Sequence, residues 1–92
     1  MTKIKKPVNS VAHAMYLLFE SGKRGITNNE AVKRDEFHKF ASRVSDLVLK
    51  YGVDIEKKKE EGKNRFGHSY TRVRYFLKSP SKQVKIYKTV NQ

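Results

Sequence analysis

The spacing of apolar residues first follows a helical period and later a period of two, and the change divides the chain. Apolar side chains recur at helical intervals from Val11 to about Ser21, which predicts a first helix with Asn9 or Ser10 as its N-cap and Gly22 as its stop. Because the apolar character covers more than one side of this helix, we expect a second element or a partner to cover it.

The segment Arg24–Thr27 has room only for a bridge of strand. Thr27 or Asn28, followed by Glu30, has the pattern of a capping box and predicts a short second helix that ends near Arg34. This second helix has barely two turns.

A third helix has the strongest periodic signal in the chain. We expect Asp35 to cap it and Gly52 to end it. Its apolar positions are Phe37, Phe40, Ala41, Val44, Leu47, Val48 and Tyr51.

Beyond Gly52 the apolar residues alternate with polar ones, which predicts two strands, at Val53–Glu56 and Tyr70–Leu77. The polar, glycine-containing stretch 57–67 between them is expected to form the tip of a β-hairpin that projects into solvent. Pro80 closes the second strand. Beyond it, Val84 and Ile86 are expected either to form a last short strand or to pack against the first helix.

The order helix, short strand, short helix, longer helix and basic hairpin resembles the winged helix-turn-helix fold over residues 9–78. Within it, Gly25-Ile-Thr-Asn-Asn-Glu-Ala31, Phe40-Ala-Ser-Arg-Val-Ser-Asp-Leu47 and Tyr51-Gly-Val-Asp-Ile-Glu56 are similar to the small helix-turn-helix domains of bacteriophage and mobile-element proteins. The resemblance implies an α+β domain with three helices and a wing. It also implies that helix 3 enters a major groove of DNA while helix 2 braces it and the wing reaches phosphates or an adjacent groove. The acids Glu36 and Asp46 on helix 3 depart from a strongly basic recognition helix.

Charge divides the chain in a second way. The net charge of +12 consists of +3 in residues 1–7, +6 in residues 57–78 and +3 in residues 79–92, while residues 8–56 are neutral. We therefore expect a basic arm over residues 1–8, a winged-helix domain over 9–78 and a tail over 79–92. A basic surface separate from a neutral body favours a polyanionic partner, above all nucleic acid, although a merely well-solvated basic domain would have the same composition.

Helix 3 carries the first set of candidate contact residues. Its polar side is expected to face DNA, with basic side chains that donate to guanine or phosphate and a serine small enough for close approach. Ordinary ion pairs on a solvated helix face are the alternative. The candidates are His38, Lys39, Ser42, Arg43 and Asp46.

Two further sets flank that helix. The start of helix 2 offers free N–H groups and polar side chains to a phosphate, although plain N-caps would have the same sequence. This set is Thr27, Asn28 and Asn29. The wing supplies backbone contacts whose affinity should depend on salt, or is a solvated edge protected by its charges. The wing set is Lys57, Lys58, Lys59, Lys63, Asn64, Arg65, Arg72 and Arg74.

Several classes of chemistry have no support in the sequence. There is no cysteine, and His13, His38 and His68 have no neighbouring ligands at metal-binding spacing, so we expect no metal, no cofactor and no catalytic activity. No apolar run approaches the ~18 residues of a membrane span, which favours a cytoplasmic protein without membrane contact.

These observations support a DNA-binding regulator of a phage or mobile element that contacts double-stranded DNA, with a homodimer as one way to gain specificity. The alternative is a winged-helix inhibitor that binds a host protein. A third hypothesis is binding of unpaired RNA through Tyr70 and Phe76, which could equally pack against the tail.

Overall fold

A computed structural model describes residues 5–92 as one α+β unit with four helices and a three-stranded antiparallel sheet. The helices are α1 (Ser10–Ser21), α2 (Asn28–Asp35), α3 (Phe40–Tyr51) and α4 (Pro80–Val90). The strands are β1 (Ile26–Thr27), β2 (Ile55–Lys63) and β3 (Ser69–Leu77), in the spatial order β1-β3-β2. Residues 1–4 of the expected basic arm lie outside the described part of the chain.

Helix α1 begins and ends where the sequence predicts. The Asn9 side chain accepts a hydrogen bond from the Ala12 N–H, and Gly22 follows the last turn with φ of +54°. Helix α1 packs against both α3 and α4, and the second of these provides part of the expected cover, since Phe19 meets Tyr87 edge to face at 5.8 Å between ring centroids. This contact explains why α1 is apolar on more than one side.

The boundary between α2 and α3 differs from the prediction. Asp35 is the last residue of α2 rather than the cap of α3, and Glu36 ends α2 in a left-handed conformation with φ of +55°. Phe37 turns into the core, where its ring stacks on His13 at 4.6 Å, and α3 begins only at Phe40. Burial of Phe37 interrupts what the apolar spacing alone presents as one continuous helix.

The hairpin formed by β2 and β3 is longer than predicted. The stretch 57–67 is not all loop, because β2 continues to Lys63 and pairs along its whole length with β3. The tip is reduced to residues 64–68. A continuous run of charged residues lacks an apolar pattern but can still form a strand when cross-strand partners are available.

The tail is a helix, which corrects the expected short strand. Pro80 occupies the first turn of α4, where its missing N–H costs nothing and its fixed φ suits a helix. Tyr87 and Val90 are buried in the core cluster. Of the two residues expected to form a strand or to pack on the first helix, Ile86 is partly buried against this cluster and Val84 is not part of it. None of the helices within residues 5–92 combines the length and apolar composition needed to cross a membrane.

Candidate nucleic-acid interface

One face of the β2–β3 hairpin carries lysines without ion-pair partners. In the strand register, Lys57 lies opposite Tyr75 and Lys59 lies opposite Val73, so these four side chains share the face that turns toward the helices. Farther along the same face, Lys63 approaches the tip. We call Lys57, Lys59 and Lys63 the lysine face; all three are exposed, and among residues 5–92 no carboxylate lies within salt-bridge distance of them.

The lysine face begins beside the N-terminus of α3. The Tyr75 ring packs against Phe40, the first residue of α3, at 5.7 Å between ring centroids. The Lys57 Nζ lies 6.0 Å from the centroid of the same Tyr75 ring. Lys57, the first member of the lysine face, is therefore linked to the start of α3 through the Tyr75 ring, while Lys59 and Lys63 follow farther along β2. Glu61 is the one acidic side chain in this row of β2, and it is exposed.

The opposite face of the hairpin has its charges paired. The Arg72 Nε donates to Glu60 at 2.9 Å, the Arg74 Nε donates to Glu60 at 2.8 Å, and the Arg74 Nη1 donates to Glu30 at 2.9 Å. We call this set, together with the Lys58–Glu56 pair at 3.5 Å, the paired face. Arg74 is only 13% exposed and links β3 to α2.

The ionisation of this network follows from its contacts. The hydrogen bond from Arg74 is the main cause that holds the pKa of Glu60 below its ordinary value. Burial by itself would raise the pKa of Glu30, but hydrogen bonds from the Thr27 N–H and from Arg74 outweigh it, and the pKa is lowered. Hydrogen bonds to both carboxylates raise the pKa of Arg74. Arg72 and Arg74, predicted as wing contacts to DNA, thus have intramolecular partners.

The hairpin tip is built around Asn64. Its side-chain oxygen accepts hydrogen bonds from the N–H groups of Phe66 and His68, at 2.9 and 3.1 Å. Gly67 supplies the positive φ of +82° that the turn requires. Asn64 therefore holds the turn, while Arg65 is exposed, with its guanidinium 4.8 Å from the Phe66 ring centroid.

The polar residues at the start of α2 mostly hold helices in place. Thr27 is 1% exposed and forms the predicted capping box with Glu30. The Asn28 side chain accepts a hydrogen bond from the Ala41 N–H at 3.0 Å, so it caps α3 from the neighbouring helix, because Lys39 at the N-cap position of α3 makes no side-chain cap. Asn29 is exposed.

The outer side of α3 differs from the predicted basic face. His38 and Lys39 are exposed but precede the helix. Arg43 donates to Asp46 at 2.8 Å, and its buried Nε has no hydrogen-bond partner among the described residues. The exposed residues within α3 are otherwise largely uncharged: Ser42, Ser45, Val48, Leu49 and Lys50, with Tyr51 at the last turn.

The spacing of apolar residues did not single out Ser45 and Val48 as parts of an outward surface. Ser45 lies next to Ser42 on the side of the helix that a helical wheel centred on Val44 exposes, so its exposure could have been predicted from the sequence. Val48 fits the apolar pattern, yet it is 37% exposed because that pattern is wider than the core contact.

The three histidines are not gathered into a site. His13 pairs with Asp35 at 2.7 Å, a carboxylate 22 positions away that local spacing cannot reveal. In residues 5–92, no group of three or more His, Asp and Glu side chains could hold a metal ion. That the protein uses no metal or cofactor stays a prediction.

No protein-family model, curated protein or solved structure matches this chain. The case for its function therefore depends on its own residues and their arrangement.

Proposed function

We propose that this chain is a winged helix-turn-helix protein that binds double-stranded DNA without catalysing a reaction. The observation that carries the proposal is the lysine face, a basic row without carboxylate partners among residues 5–92, whose first member, Lys57, is linked to the start of α3 through the Tyr75 ring. A lysine that neutralises a DNA phosphate releases a counterion condensed on the DNA, and a lysine that is not already paired with a carboxylate can do so without breaking an ion pair.

In this arrangement the two elements have different roles. Lys57, Lys59 and Lys63 contact the phosphate backbone, and Arg65 at the tip reaches the next groove or its phosphates. The first turns of α3 approach a major groove, where Ser42 permits close contact. Because the exposed surface of α3 has little charge, most of the affinity comes from the hairpin.

Several predicted contact residues act indirectly in this proposal. Arg72, Arg74 and Asn64 maintain the hairpin, and Thr27 and Asn28 fix α2 against β1 and α3. Their hydrogen-bonding groups are largely used within the protein. Holding the lysine face beside α3 is their contribution to DNA binding.

The experiment is fluorescence anisotropy with a randomised duplex pool and a single-stranded control over a salt series, followed by sequencing of the bound fraction. We expect the duplex to bind more tightly than the single strand at about 150 mM salt. One enriched motif would support a sequence-specific regulator, acting in the cytoplasm of a phage host or of a cell that carries a mobile element.

A matched pair of variants tests the surface. Lys57→Gln/Lys59→Gln/Lys63→Gln removes three charges from the lysine face, and Lys23→Gln/Lys33→Gln/Lys78→Gln removes three exposed lysines that lie outside it. We expect the first variant to weaken binding to a short duplex by about tenfold or more and the second by much less. Equal affinities of the first variant and the wild type would contradict the proposal.

A protein partner is the second candidate, and exposed apolar side chains favour it. Leu49 on α3 is 83% exposed, Phe66 at the hairpin tip is 68% exposed, and Val48 and Tyr51 flank Leu49 with 37% and 38%. If the duplex binds only weakly and salt abolishes the binding, the result favours a protein partner that contacts these residues. Leu49→Ser should then impair capture of that partner and leave the weak duplex binding unchanged.

A further inference from the structure

The two charged ends of the chain meet at one place in the fold. The Val8 N–H donates to the Asn91 side chain at 2.6 Å, and the Asn91 amide donates to the Lys6 carbonyl at 3.0 Å. The Tyr87 hydroxyl donates to the Lys5 carbonyl. These bonds occupy backbone and neutral groups, so the arm is fixed beside the end of α4 while the Lys5 and Lys6 side chains stay exposed.

Helix α4 adds a row of lysines to this place. Lys82, Lys85 and Lys88 follow one another at intervals of three residues on the side opposite buried Gln83 and Tyr87, and all three are exposed. We call them the α4 lysines. No Asp or Glu occurs anywhere in residues 62–92 or before Glu20, and within the described chain the α4 lysines make no ion pair.

This basic surface is distant from the hairpin tip. Strand β3 leads away from the tip for nine residues, Ser69–Leu77, before α4 begins at Pro80. At about 3.4 Å of rise per residue, the two ends of this strand are roughly 27 Å apart, within a molecule 44 Å long. Lys63 and Arg65 therefore lie far from the start of α4, whereas Lys57, opposite Tyr75, lies nearer to it. Helix α1 packs against both α3 and α4, and its contact with α4 uses Phe19.

We propose that the α4 lysines, together with Lys5 and Lys6, form a second phosphate-binding surface that takes the backbone of a second DNA duplex. The inference rests on the proposed function and extends it: one molecule would bridge two duplexes, with the hairpin and α3 on one and α4 on the other. Charge complementarity selects the ligand, since α4 offers ammonium groups with the exposed Ser81 hydroxyl beside them, and neither α4 nor residues 5–8 of the arm contain an Asp or Glu.

The test measures bridging separately from binding. A biotinylated duplex of roughly 20 base pairs, about two helical turns, is immobilised, the protein is bound, and a second fluorescent duplex is added. We expect wild-type protein to retain the second duplex. The variant Lys82→Gln/Lys85→Gln/Lys88→Gln should retain about tenfold less, while its affinity for a single duplex changes by less than about threefold. The hairpin variant Lys57→Gln/Lys59→Gln/Lys63→Gln should bind the first duplex about tenfold or more weakly and, with less protein held on it, retain correspondingly less of the second.

Each failure has a distinct meaning. Binding of the first duplex without retention of the second would overturn the second surface and leave the proposed function intact. Unchanged bridging by the α4 variant would mean that a second copy of the chain holds the second duplex. Equal losses of single-duplex affinity in the two variants would mean that the hairpin and α4 belong to one binding surface. Either result overturns the inference. Absence of any duplex binding would contradict the proposed function as well. Circular dichroism of both variants checks that they are folded.

Discussion

The two faces of the β2–β3 hairpin carry similar numbers of basic residues and yet differ in what those residues do. On the paired face, Arg72 and Arg74 are bound to Glu60, and Arg74 also reaches Glu30. On the lysine face, Lys57 and Lys59 stand beside Tyr75 and Val73 and have no acidic partner among the described residues. Strand alternation alone separates the two sets.

The difference shows that the net charge of the hairpin overstates the number of basic side chains that are free to contact a ligand. Arginine, with its planar fork of donors, binds the carboxylates of the paired face. Lysine, with a flexible and strongly hydrated ammonium, occupies the lysine face, where no carboxylate of the described residues pairs with it. Removing a base from the paired face should therefore cost stability, and removing one from the lysine face should cost affinity.

The largest effect on stability is expected from Arg74→Gln. The substitution leaves Glu30 and Glu60 without their shared partner and separates β3 from α2, and we expect a loss of about 2 kcal/mol in the free energy of unfolding, below the range for a fully buried pair because both carboxylates are partly exposed. Urea denaturation followed by circular dichroism measures it. Lys57→Gln is the control and should change the free energy by less than about 0.5 kcal/mol. Equal stability of the two variants would contradict the claim that the paired face stabilises the fold more than the lysine face does.

A smaller loss of stability is expected from Asn28→Ala, which removes the uncharged hydrogen bond between α2 and α3. The substitution leaves the Ala41 N–H without its acceptor, and caps of this kind contribute about 1 kcal/mol. The same denaturation experiment applies, with Asn29→Ala as the exposed neighbour that should have little effect. If Asn29→Ala were the more harmful change, α3 would not be capped from α2.

Acid should weaken the paired face gradually. Because the pKa values of Glu30 and Glu60 lie below their ordinary value in the folded protein, the folded state binds fewer protons than the unfolded state. Their contribution is complete above the unfolded value of about 4.3 and is lost as the pH falls through the lower folded values. Denaturation midpoints between pH 7 and pH ~3.5 should decrease more steeply for the wild type than for Arg74→Gln. The same dependence of the denaturation midpoint on pH in both proteins would contradict a stabilising role of Arg74 toward ionised Glu30 and Glu60.

Local signals in the sequence predicted much of the fold and missed what depends on distant contacts. The cap at Asn9, the capping box at Thr27 and the stop at Gly52 depend on neighbouring residues, and all three are present. The start of α3 was placed too early because the stacking of Phe37 on His13 joins positions far apart in the chain. Helix α4 was missed because a proline suits both the end of a strand and the first turn of a helix.

The candidate site, like the fold, could be predicted from the sequence only where it depends on neighbouring residues. Composition indicated the basic hairpin, and alternation could have separated its two faces, but only if the strands had been extended through the charged residues 57–63. The partner of Arg74, Glu30, lies 44 positions away, so nothing local distinguishes Arg74 from a base free to bind DNA. The junction of the arm with α4 likewise joins residues more than 80 positions apart.

The most direct test of the account is the salt dependence of duplex binding. The slope of log Kd against log salt should be smaller by about 2.7 for Lys57→Gln/Lys59→Gln/Lys63→Gln than for the wild type, which corresponds to three phosphate contacts at about 0.9 each. Arg72→Gln, on the other face of the same hairpin, should leave the slope unchanged. A slope that falls by about 0.9 for Arg72→Gln and is unaffected by the triple substitution would contradict the division of the hairpin into a structural and a DNA-binding face.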